Sequence, residues 1–252
     1  MRYVLIVNTV HDRGDLLERT LRSMLPQLDL KPARIIVHED VRPAYPFVEG
    51  LTEDGMAEVV RDHGVPIELL RTNPGAGMAR GLLKMLEAAD TEFVFYSQED
   101  FDFVRPVPIA RCLEIMTEHE LHHVRFNKRK TMRIKGEHRP PHEQFKKVEV
   151  TIGGQVFCIS DRWYHQASVW RRQLAARGYR ALVEAAAPGK PVERPEDRFD
   201  HWINQTIGGG VGSVDGGQEA RRELCRTFIW GGVGEPAFIS HTGSERSTQG
   251  RT

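Results

Sequence analysis

The chain has 252 residues, with 35 basic and 35 acidic side chains, and 40% of its residues are hydrophobic. These values are ordinary for a globular domain with a substantial core, and the balanced charge argues against polyanion binding through overall charge. The longest apolar run near the start, residues 4–7, is too short for a membrane span or a signal-peptide core, so we expect a cytoplasmic protein. Three scattered cysteines without a CxxC pair exclude a disulfide framework and a thiolate zinc site.

The first hundred residues alternate between apolar, strand-like runs and amphipathic helical segments. Strands are predicted at residues 3–8, 34–38, 67–71 and 92–97, and helices at 14–28, 56–63 and 78–89. Strands that are separated by helices cannot be joined by hairpins, so this order predicts an α/β fold with a mostly parallel sheet. Ligands bind beyond the carboxyl ends of the strands in such sheets, and functional residues are expected there.

The alternation is lost after residue 104. A helix is predicted at residues 109–119, strands at 148–152 and 155–159, and helices near 165–177 and after Pro195. The glycine-rich segment that follows, residues 208–217, is predicted to be a mobile loop because no clear helix comes after it. No Ser/Pro/Gly linker divides the chain, so we expect residues 1–252 to form a single domain with two continuous halves, 1–120 and 121–252.

Acidic residues follow the fourth predicted strand directly. In extended backbone, residues two apart point to one side, so Asp100 and Asp102 are expected to converge while Glu99 and Phe101 face away. Two close carboxylates need a compensating positive charge, and a hard divalent cation that also binds substrate phosphates supplies it. A solvated acidic loop that caps the next helix is the alternative that the spacing leaves open.

The order of these motifs resembles that of GT-A-type glycosyltransferases, particularly family 2. The resemblance covers about the first 120 residues and rests on Thr9 and Arg13 around the end of the first strand, His38-Glu39-Asp40, Asn73-Pro74-Gly75, and the acidic segment 99–102. In that family the acidic motif holds Mn²⁺ or Mg²⁺ against the diphosphate of a nucleotide sugar, and the acid after the second strand contacts the nucleoside. The resemblance therefore implies a GT-A-like fold, with the donor bound by residues 1–120 and the acceptor by residues 121–252.

The resemblance also implies roles for the matching residues. Asp100 and Asp102 become metal or ribose ligands, and Asp40 becomes a nucleoside contact. Thr9, Arg13 and Asn73 become parts of the donor pocket. Phe101 interrupts the consecutive aspartates that the family often shows, so the motif leaves open which of Glu99, Asp100 and Asp102 binds the metal.

Two glycines, Gly75 and Gly77, lie between a predicted strand and a helix, as they do in a dinucleotide-binding loop. Arg80 stands where the third glycine of that fingerprint belongs, and the fingerprint normally follows the first strand. A turn at a helix start is therefore the preferred interpretation, with Arg80 as a phosphate partner in the glycosyltransferase hypothesis. No GxxxxGK[ST] motif is present, which excludes a Walker-type ATPase.

A second acidic pair, Glu196 and Asp197, follows Pro195 at the start of a predicted helix. The helix macrodipole favours carboxylates in the first turn, which is a sufficient structural explanation. Family 2 glycosyltransferases resemble this chain in placing a Glu-Asp pair at such a helix start, and inverting sugar transfer needs a carboxylate that accepts the acceptor's proton. The resemblance makes Asp197 the candidate base and Glu196 the alternative, with Asp200 supporting either.

Near the end of the chain, His241 follows a short predicted strand and precedes Arg246. In many GT-A enzymes a late histidine completes the metal site and basic residues nearby hold the diphosphate, so the resemblance assigns these roles to His241 and Arg246. Imidazole is an acceptable ligand for Mn²⁺, although a loop histidine is usually just solvated. Trp230 is predicted to stack on a sugar or base, with burial in the core as the alternative.

Residues 125–147 contain nine basic and two acidic side chains, with Lys128, Arg129 and Lys130 consecutive among them. Such a run is most often a solvated face, but it would also hold a polyanionic acceptor. Some glycosyltransferases that resemble this fold modify hydroxymethylated pyrimidines in DNA, and a lipid phosphate or an anionic glycan would use the same charges.

Together these features predict metal-dependent transfer from a nucleotide sugar, with a UDP-sugar as the expected donor, to a hydroxyl acceptor such as a hydroxymethylated base in DNA. A glycan- or lipid-directed transferase is one alternative. A sugar nucleotidyltransferase is another, since it also needs paired carboxylates and a divalent metal. A nucleic-acid-binding module without catalytic activity is a third, based on the basic segment alone.

Overall fold

The computed structural model describes residues 1–10, 13–41, 58, 61, 63–72, 75, 77–128, 149–160, 163, 165–187, 190–206 and 227–241. Its helices are α1 (Gly14–Met24), α2 (Met78–Ala88), α3 (Ile109–Glu118), α4 (Arg172–Ala185) and α5 (Pro195–Thr206), with a 3₁₀ helix at Leu25–Gln27. Its strands are β1 (Tyr3–Val10), β2 (Arg34–Asp40), β3 (Ile67–Thr72), β4 (Phe93–Gln98), β5 (Phe101–Phe103), β6 (His123–Arg125), β7 (Glu149–Ile152), β8 (Gln155–Ser160), β9 (Ser168–Arg171), β10 (Thr227–Trp230) and β11 (Ile239–His241).

Strands β1 to β4 form the parallel half of a large sheet. β1 lies between β2 and β4, and β3 lies outside β2, all in parallel. Residues 3–7 of β1 are buried throughout, as expected where helices cover both faces of a sheet. The predicted strands and the predicted helices at 14–28 and 78–89 are confirmed, with small changes at their ends. The helix predicted at 56–63 lies mostly outside the described residues.

The second half of the sheet is mixed. β9 lies antiparallel between β4 and β6, β10 is parallel to β6, and the full order is β3-β2-β1-β4-β9-β6-β10-β8-β7. The sheet therefore continues from one half of the chain into the other. Among the helices described, none combines the length and the hydrophobicity that a membrane span needs.

The helix predicted near residues 165–177 needs correction at its start. Residues 168–171 form β9, which pairs with β4 and β6 at the centre of the sheet, and α4 begins only at Arg172. Val169 and Trp170 are fully buried. Since a short apolar run suits a strand and a buried helix equally, only the pairing with β4 decided the outcome.

Two hydrophobic cores lie on opposite faces of the sheet. Successive strand residues point to opposite faces, so Phe95 of β4 packs in the core that includes residues of α1 and α3, whereas Tyr96 packs in the core that includes residues of α2, α4 and α5. β4 is thereby packed on both faces up to Gln98, where the acidic segment begins. This packing gives that segment a rigid base.

Strands β5 and β11 form a separate antiparallel ribbon. Phe101 pairs with His241, Asp102 with Ser240, and Phe103 with Ile239. The ribbon continues in a backbone hydrogen bond of 2.9 Å from Val104 to the carbonyl of Phe238. The end of the described chain therefore lies directly against the acidic segment.

Candidate functional site

The carboxyl ends of β1, β2 and β4 meet at one edge of the sheet. Asn8 pairs with His38 on one side and with Gln98 on the other, and Thr9 and Val10 pair with Glu39 and Asp40. The residues that follow Gln98 therefore leave the sheet at the same edge as Asp40. Asp40 is only 3% exposed and Asp100 only 7%, so neither carboxylate belongs to a fully solvated loop.

Arg13 links the start of α1 to the acidic segment. Its Nη1 donates to Glu99 Oε1 at 2.8 Å and lies 3.9 Å from Asp100 Oδ2. Burial raises the pKa of Glu99, and the charge of Asp100 adds to this effect, while Arg13 opposes it. These two buried, neighbouring carboxylates beside Arg13 form a site where a further cation would be stabilised electrostatically.

Helix α1 also holds the backbone of the acidic segment. Thr20 Oγ1 donates to the carbonyl of Glu99 at 2.5 Å, and Ser23 Oγ accepts the amide of Phe103 at 3.1 Å. These bonds hold the backbone of the segment at both ends. The backbone that carries the acidic side chains is therefore fixed relative to α1.

Asp102 lies next to a different arginine. Arg19 Nε donates to Asp102 Oδ1 at 2.9 Å, and Arg19 Nη2 contacts Asp102 Oδ2. Both oxygens of Asp102 are thus engaged by one guanidinium, in the paired geometry that arginine and carboxylate groups favour. Asp100 lies beside Arg13 instead, so the two predicted carboxylates have different arginine neighbours.

His241 reaches the acidic segment along β11, opposite Phe101. Its side chain, like Arg246, lies outside the described part of the chain. Among the described residues, no group of three or more His, Cys, Asp or Glu side chains is arranged as a metal site. The carboxylates of Asp100 and Glu99 are of the type that suits a divalent cation, because Mn²⁺ and Mg²⁺ prefer oxygen ligands.

Asp40 is positioned by the glycines that precede α2. Its Oδ1 accepts the amide of Gly77 at 3.2 Å. A Cβ on Gly75 would lie 2.9 Å from the same oxygen, and Gly77 has a φ of +79°, which few other residues adopt. The predicted helix start is confirmed, because α2 begins at Met78, and the two glycines before it allow close approach to Asp40. Asn73 lies outside the described residues.

A buried polar network, which was not predicted from the sequence, lies behind Asp40. His38 Nδ1 is 3.0 Å from Asn8 Oδ1, and His38 Nε2 is 2.9 Å from Thr72 Oγ1. Burial lowers the pKa of His38 to about 4, so this histidine is neutral at neutral pH. The network joins β1, β2 and β3 at their carboxyl ends. Polar residues within otherwise apolar strands, such as Asn8 and His38, were the sequence signal that could have indicated it.

The second acidic pair begins α5, as predicted. Asp197 is exposed, and its Oδ2 lies 2.5 Å from Arg194 Nη2. Glu196 Oε1 accepts the amide of His165 at 3.0 Å and also lies 2.9 Å from His165 Nδ1. Glu196 is therefore anchored to the segment before β9, whereas Asp197 is exposed and pairs with Arg194 at the surface.

Asp200 and Lys128 complete the surroundings of this pair. Asp200 Oδ1 accepts the amide of Trp163 at 3.0 Å, which gives the segment before β9 a second anchor on α5. Burial opposes ionisation of Glu196, but its bonds to His165 and the charges of His165 and Lys128 outweigh this effect and lower the pKa of Glu196. Lys128 therefore lies close enough to α5 for its charge to act there.

The remaining residues that were predicted to contact the donor or the acceptor do not all lie within the described part of the chain. Thr9 is buried, and its Oγ1 donates to the carbonyl of Val10 at 3.3 Å. Arg80 lies in the first turn of α2, with Nη2 3.5 Å from the carbonyl of Lys190. The predicted acceptor contacts Arg129 and Lys130, and the glycine-rich segment 208–217, lie outside the described residues.

Trp230 belongs to the hydrophobic core. It is 6% exposed, and its ring lies 6.0 Å from that of Phe126 and 5.4 Å from that of Phe157. The expected stacking on a sugar or base is therefore corrected to the alternative, a buried core tryptophan, since β10 is an interior strand that packs this side chain inward.

The chain matches known proteins in structure but not in sequence. No protein-family model matches the chain, and no curated protein sequence matches it. Among solved structures, residues 1–349 of S. aureus TarS in complex with UDP-GlcNAc match with a TM-score of 0.54 and 15% identity, over 97% of this chain and 61% of that one.

Two further structures show the same likeness. The mannosyltransferase PcManGT from Pyrobaculum calidifontis, in complex with GDP-Man and Mn²⁺, matches with a TM-score of 0.53 and 14% identity, over 90% of this chain and 56% of that one. GalNAc-T7 with UDP, GalNAc and Mn²⁺ matches with a TM-score of 0.54 and 10% identity, over 91% of this chain and 42% of that one.

The chain spans less than two thirds of the length of each of these structures. At identities of 10% to 15%, the likeness concerns the fold. It extends over nine tenths or more of this chain and therefore includes most of the second half, where the sequence pattern was irregular. The chain therefore has the fold of the GT-A-type glycosyltransferases.

Proposed function

We propose that the chain transfers a sugar from a nucleotide sugar to a hydroxyl acceptor with the help of a divalent cation. The observation that carries this proposal is the buried pair Glu99 and Asp100, beside Arg13, at the ligand-binding edge of a GT-A fold. The named structures of the same fold hold UDP-GlcNAc, GDP-Man with Mn²⁺, and UDP with Mn²⁺. Since two of the three hold a uridine nucleotide, we propose a UDP-sugar as the donor.

The donor is assigned to the edge formed by β1, β2 and β4. Asp100 and, from β11, His241 would hold Mn²⁺ or Mg²⁺, and Asp40 would contact the nucleoside. When bound, the cation neutralises negative charge on the diphosphate leaving group. Thr9, Arg13, Asn73, Arg80 and Arg246 stay predicted donor contacts.

The acceptor is assigned to the side of α5. Asp197 would take the proton of the acceptor hydroxyl while its oxygen bonds to the anomeric carbon. The bond from that carbon to the diphosphate breaks, and the nucleoside diphosphate leaves with the electron pair. A single displacement of this kind inverts the anomeric configuration. Asp197 is preferred over Glu196 because both contacts of Glu196 Oε1 anchor it to His165, whereas Asp197 is exposed.

The first prediction concerns ligand binding. UDP-sugars with Mn²⁺ at about a hundred times Kd should stabilise the folded chain by about 2.7 kcal/mol, which corresponds to a rise in Tm of about 5 °C or more. A thermal-shift panel of nucleotides and nucleotide sugars, with and without Mn²⁺, measures this rise. If no nucleoside diphosphate in the panel gives a metal-dependent rise in Tm, the proposal is contradicted. Release of pyrophosphate in place of UDP would identify a nucleotidyltransferase.

We further propose that the acceptor is an anionic polymer, with DNA bearing a hydroxylated base as the first candidate. Lys128 belongs to the basic segment 125–147 and acts electrostatically on Glu196, which supports a role for Lys128 in binding an anionic acceptor. Residues 1–120 and 121–252 would then work as one domain, with donor and acceptor on either side of the sheet's edge.

The second prediction is that the chain binds duplex or single-stranded DNA at low salt, with an affinity that falls steeply as salt increases because phosphate contacts release counterions. The measurement is fluorescence anisotropy across a salt series, with charge reversal at Lys128, Arg129 and Lys130 as the matched variant. Negligible binding at low salt would leave a lipid phosphate or a glycan as acceptor. If Asp100→Asn keeps all activity while the charge reversal removes it, the chain is a binding module.

A further inference from the structure

A buried connection joins the two sides of the proposed site through Tyr96, His165 and Glu196. Tyr96 lies on β4, two residues before the end of the strand, and is fully buried. The His165 ring lies edge-on to the Tyr96 ring, with 5.8 Å between their centroids. His165 contacts Glu196 Oε1 through both its amide and its Nδ1, at 3.0 Å and 2.9 Å. The connection thus runs from the strand that bears the acidic segment to the helix that bears Asp197.

The imidazole of His165 has a polar atom near each of its nitrogens, but Nδ1 forms no hydrogen bond with any of the described residues. Nδ1 lies against Glu196, and Nε2 contacts the hydroxyl of Tyr179 on α4. Tyr179 is itself fully buried and stacks on Trp170 of β9, with 6.2 Å between the ring centroids. A histidine with these contacts has little freedom to move, so the oxygen of Glu196 that it contacts is fixed relative to the sheet.

The helix start alone does not explain this arrangement. A carboxylate in a first turn is stabilised by the macrodipole and by solvent without any further partner. Burial of an imidazole costs free energy unless its nitrogens are hydrogen-bonded. A helix start does not need a buried histidine beside its carboxylate, so helix formation does not account for that cost. This arrangement is therefore better explained by the site that the two elements share.

We propose that His165 is a positioning residue for the transfer reaction. Through Glu196 it sets the first turn of α5, and with it Asp197, at a defined distance from the carboxyl end of β4 where the donor binds. His165 itself takes no proton and touches no substrate. The inference rests on the proposed function, because it assigns Asp197 and the end of β4 to the two reacting partners.

The experiment measures release of UDP from a UDP-sugar with Mn²⁺, with water as the acceptor. His165→Phe keeps a ring of similar size and removes both polar contacts, whereas His165→Asn keeps an amide donor near the position of Nδ1. The matched control is His123→Phe, because His123 is equally buried in the same aromatic cluster, where its Nδ1 lies 2.7 Å from Thr227 Oγ1.

His165→Phe should lower kcat by about 10- to 100-fold, since small displacements of reacting groups cost that much, with KM and the Kd of UDP unchanged. His165→Asn should recover most of the rate, and His123→Phe should stay near the wild-type rate. A wild-type kcat in His165→Phe overturns the proposal. So does an equal loss in His123→Phe, or a failure of His165→Asn to recover the rate.

Should His165→Phe fail to fold, Tyr179→Phe removes only the hydroxyl and should still lower kcat with the Kd of UDP unchanged; a wild-type kcat there overturns the proposal. If the wild type releases no UDP from any nucleotide sugar, the proposed function fails separately. A double-mutant cycle of His165→Phe and Glu196→Gln in urea unfolding then tests the connection without activity. If the two substitutions change the free energy of unfolding additively, His165 and Glu196 are not coupled and the proposal is overturned.

Discussion

Asp100→Asn is expected to lower the rate of UDP release by about 10²- to 10³-fold, which is typical when an electrostatic contact to the reacting groups is lost. The substitution keeps the shape of the side chain and removes a charge from the proposed cation site. The same change removes repulsion from the buried Glu99, whose pKa the Asp100 charge helps to raise, so the stability of the folded chain should not fall. Turnover with Mn²⁺ measures the rate, calorimetry measures the expected fall in Mn²⁺ affinity, and urea unfolding measures the stability.

Asp102→Asn is the matched control, since it is the same substitution two residues away. Arg19 engages both oxygens of Asp102. Loss of the Asp102 charge should therefore weaken the contact between α1 and β5 and leave the affinity for Mn²⁺ nearly unchanged. The opposite result, with Mn²⁺ binding lost in Asp102→Asn and kept in Asp100→Asn, would contradict the assignment and make Asp102 the metal ligand.

Asp197→Asn is expected to lower kcat by about 10²- to 10⁴-fold, the range that a general base contributes. An amide cannot accept the proton of the acceptor hydroxyl, while the position of the side chain at the exposed start of α5 is kept. Binding of UDP and Mn²⁺ should be unchanged because the donor is assigned to the other side of the site. Single-turnover kinetics together with nucleotide titration separate the chemical step from binding.

The control for this prediction is Asp200→Asn, because asparagine still offers an oxygen to the Trp163 amide that Asp200 accepts. Its rate should stay close to that of the wild type. If Asp197→Asn retains its activity while Glu196→Gln loses it, the base is Glu196, and the contacts of Glu196 with His165 then belong to the reaction itself.

The first half of the fold was predictable because its signal is local. Buried parallel strands are apolar along their whole length, and the helices between them repeat apolar residues at helical spacing, as in residues 3–8 and 78–89. The same pattern located the acidic segment at the end of β4, since parallel strands present their carboxyl ends at one edge. The second half was less predictable because its strands are short and pair with distant parts of the chain, as β9 does with β4.

Local pattern thus determined that Asp40 and Asp100 lie at or just after the ends of strands and that Asp197 lies in the first turn of a helix. Only the tertiary structure decided their partners. Glu99 and Asp100 lie beside Arg13 whereas Asp102 lies beside Arg19, Trp230 is buried in the core, and His165 stands behind Glu196. These pairings depend on side chains that are far apart in the chain and meet only after the sheet and its helices have packed, so residue type and spacing carry no record of them.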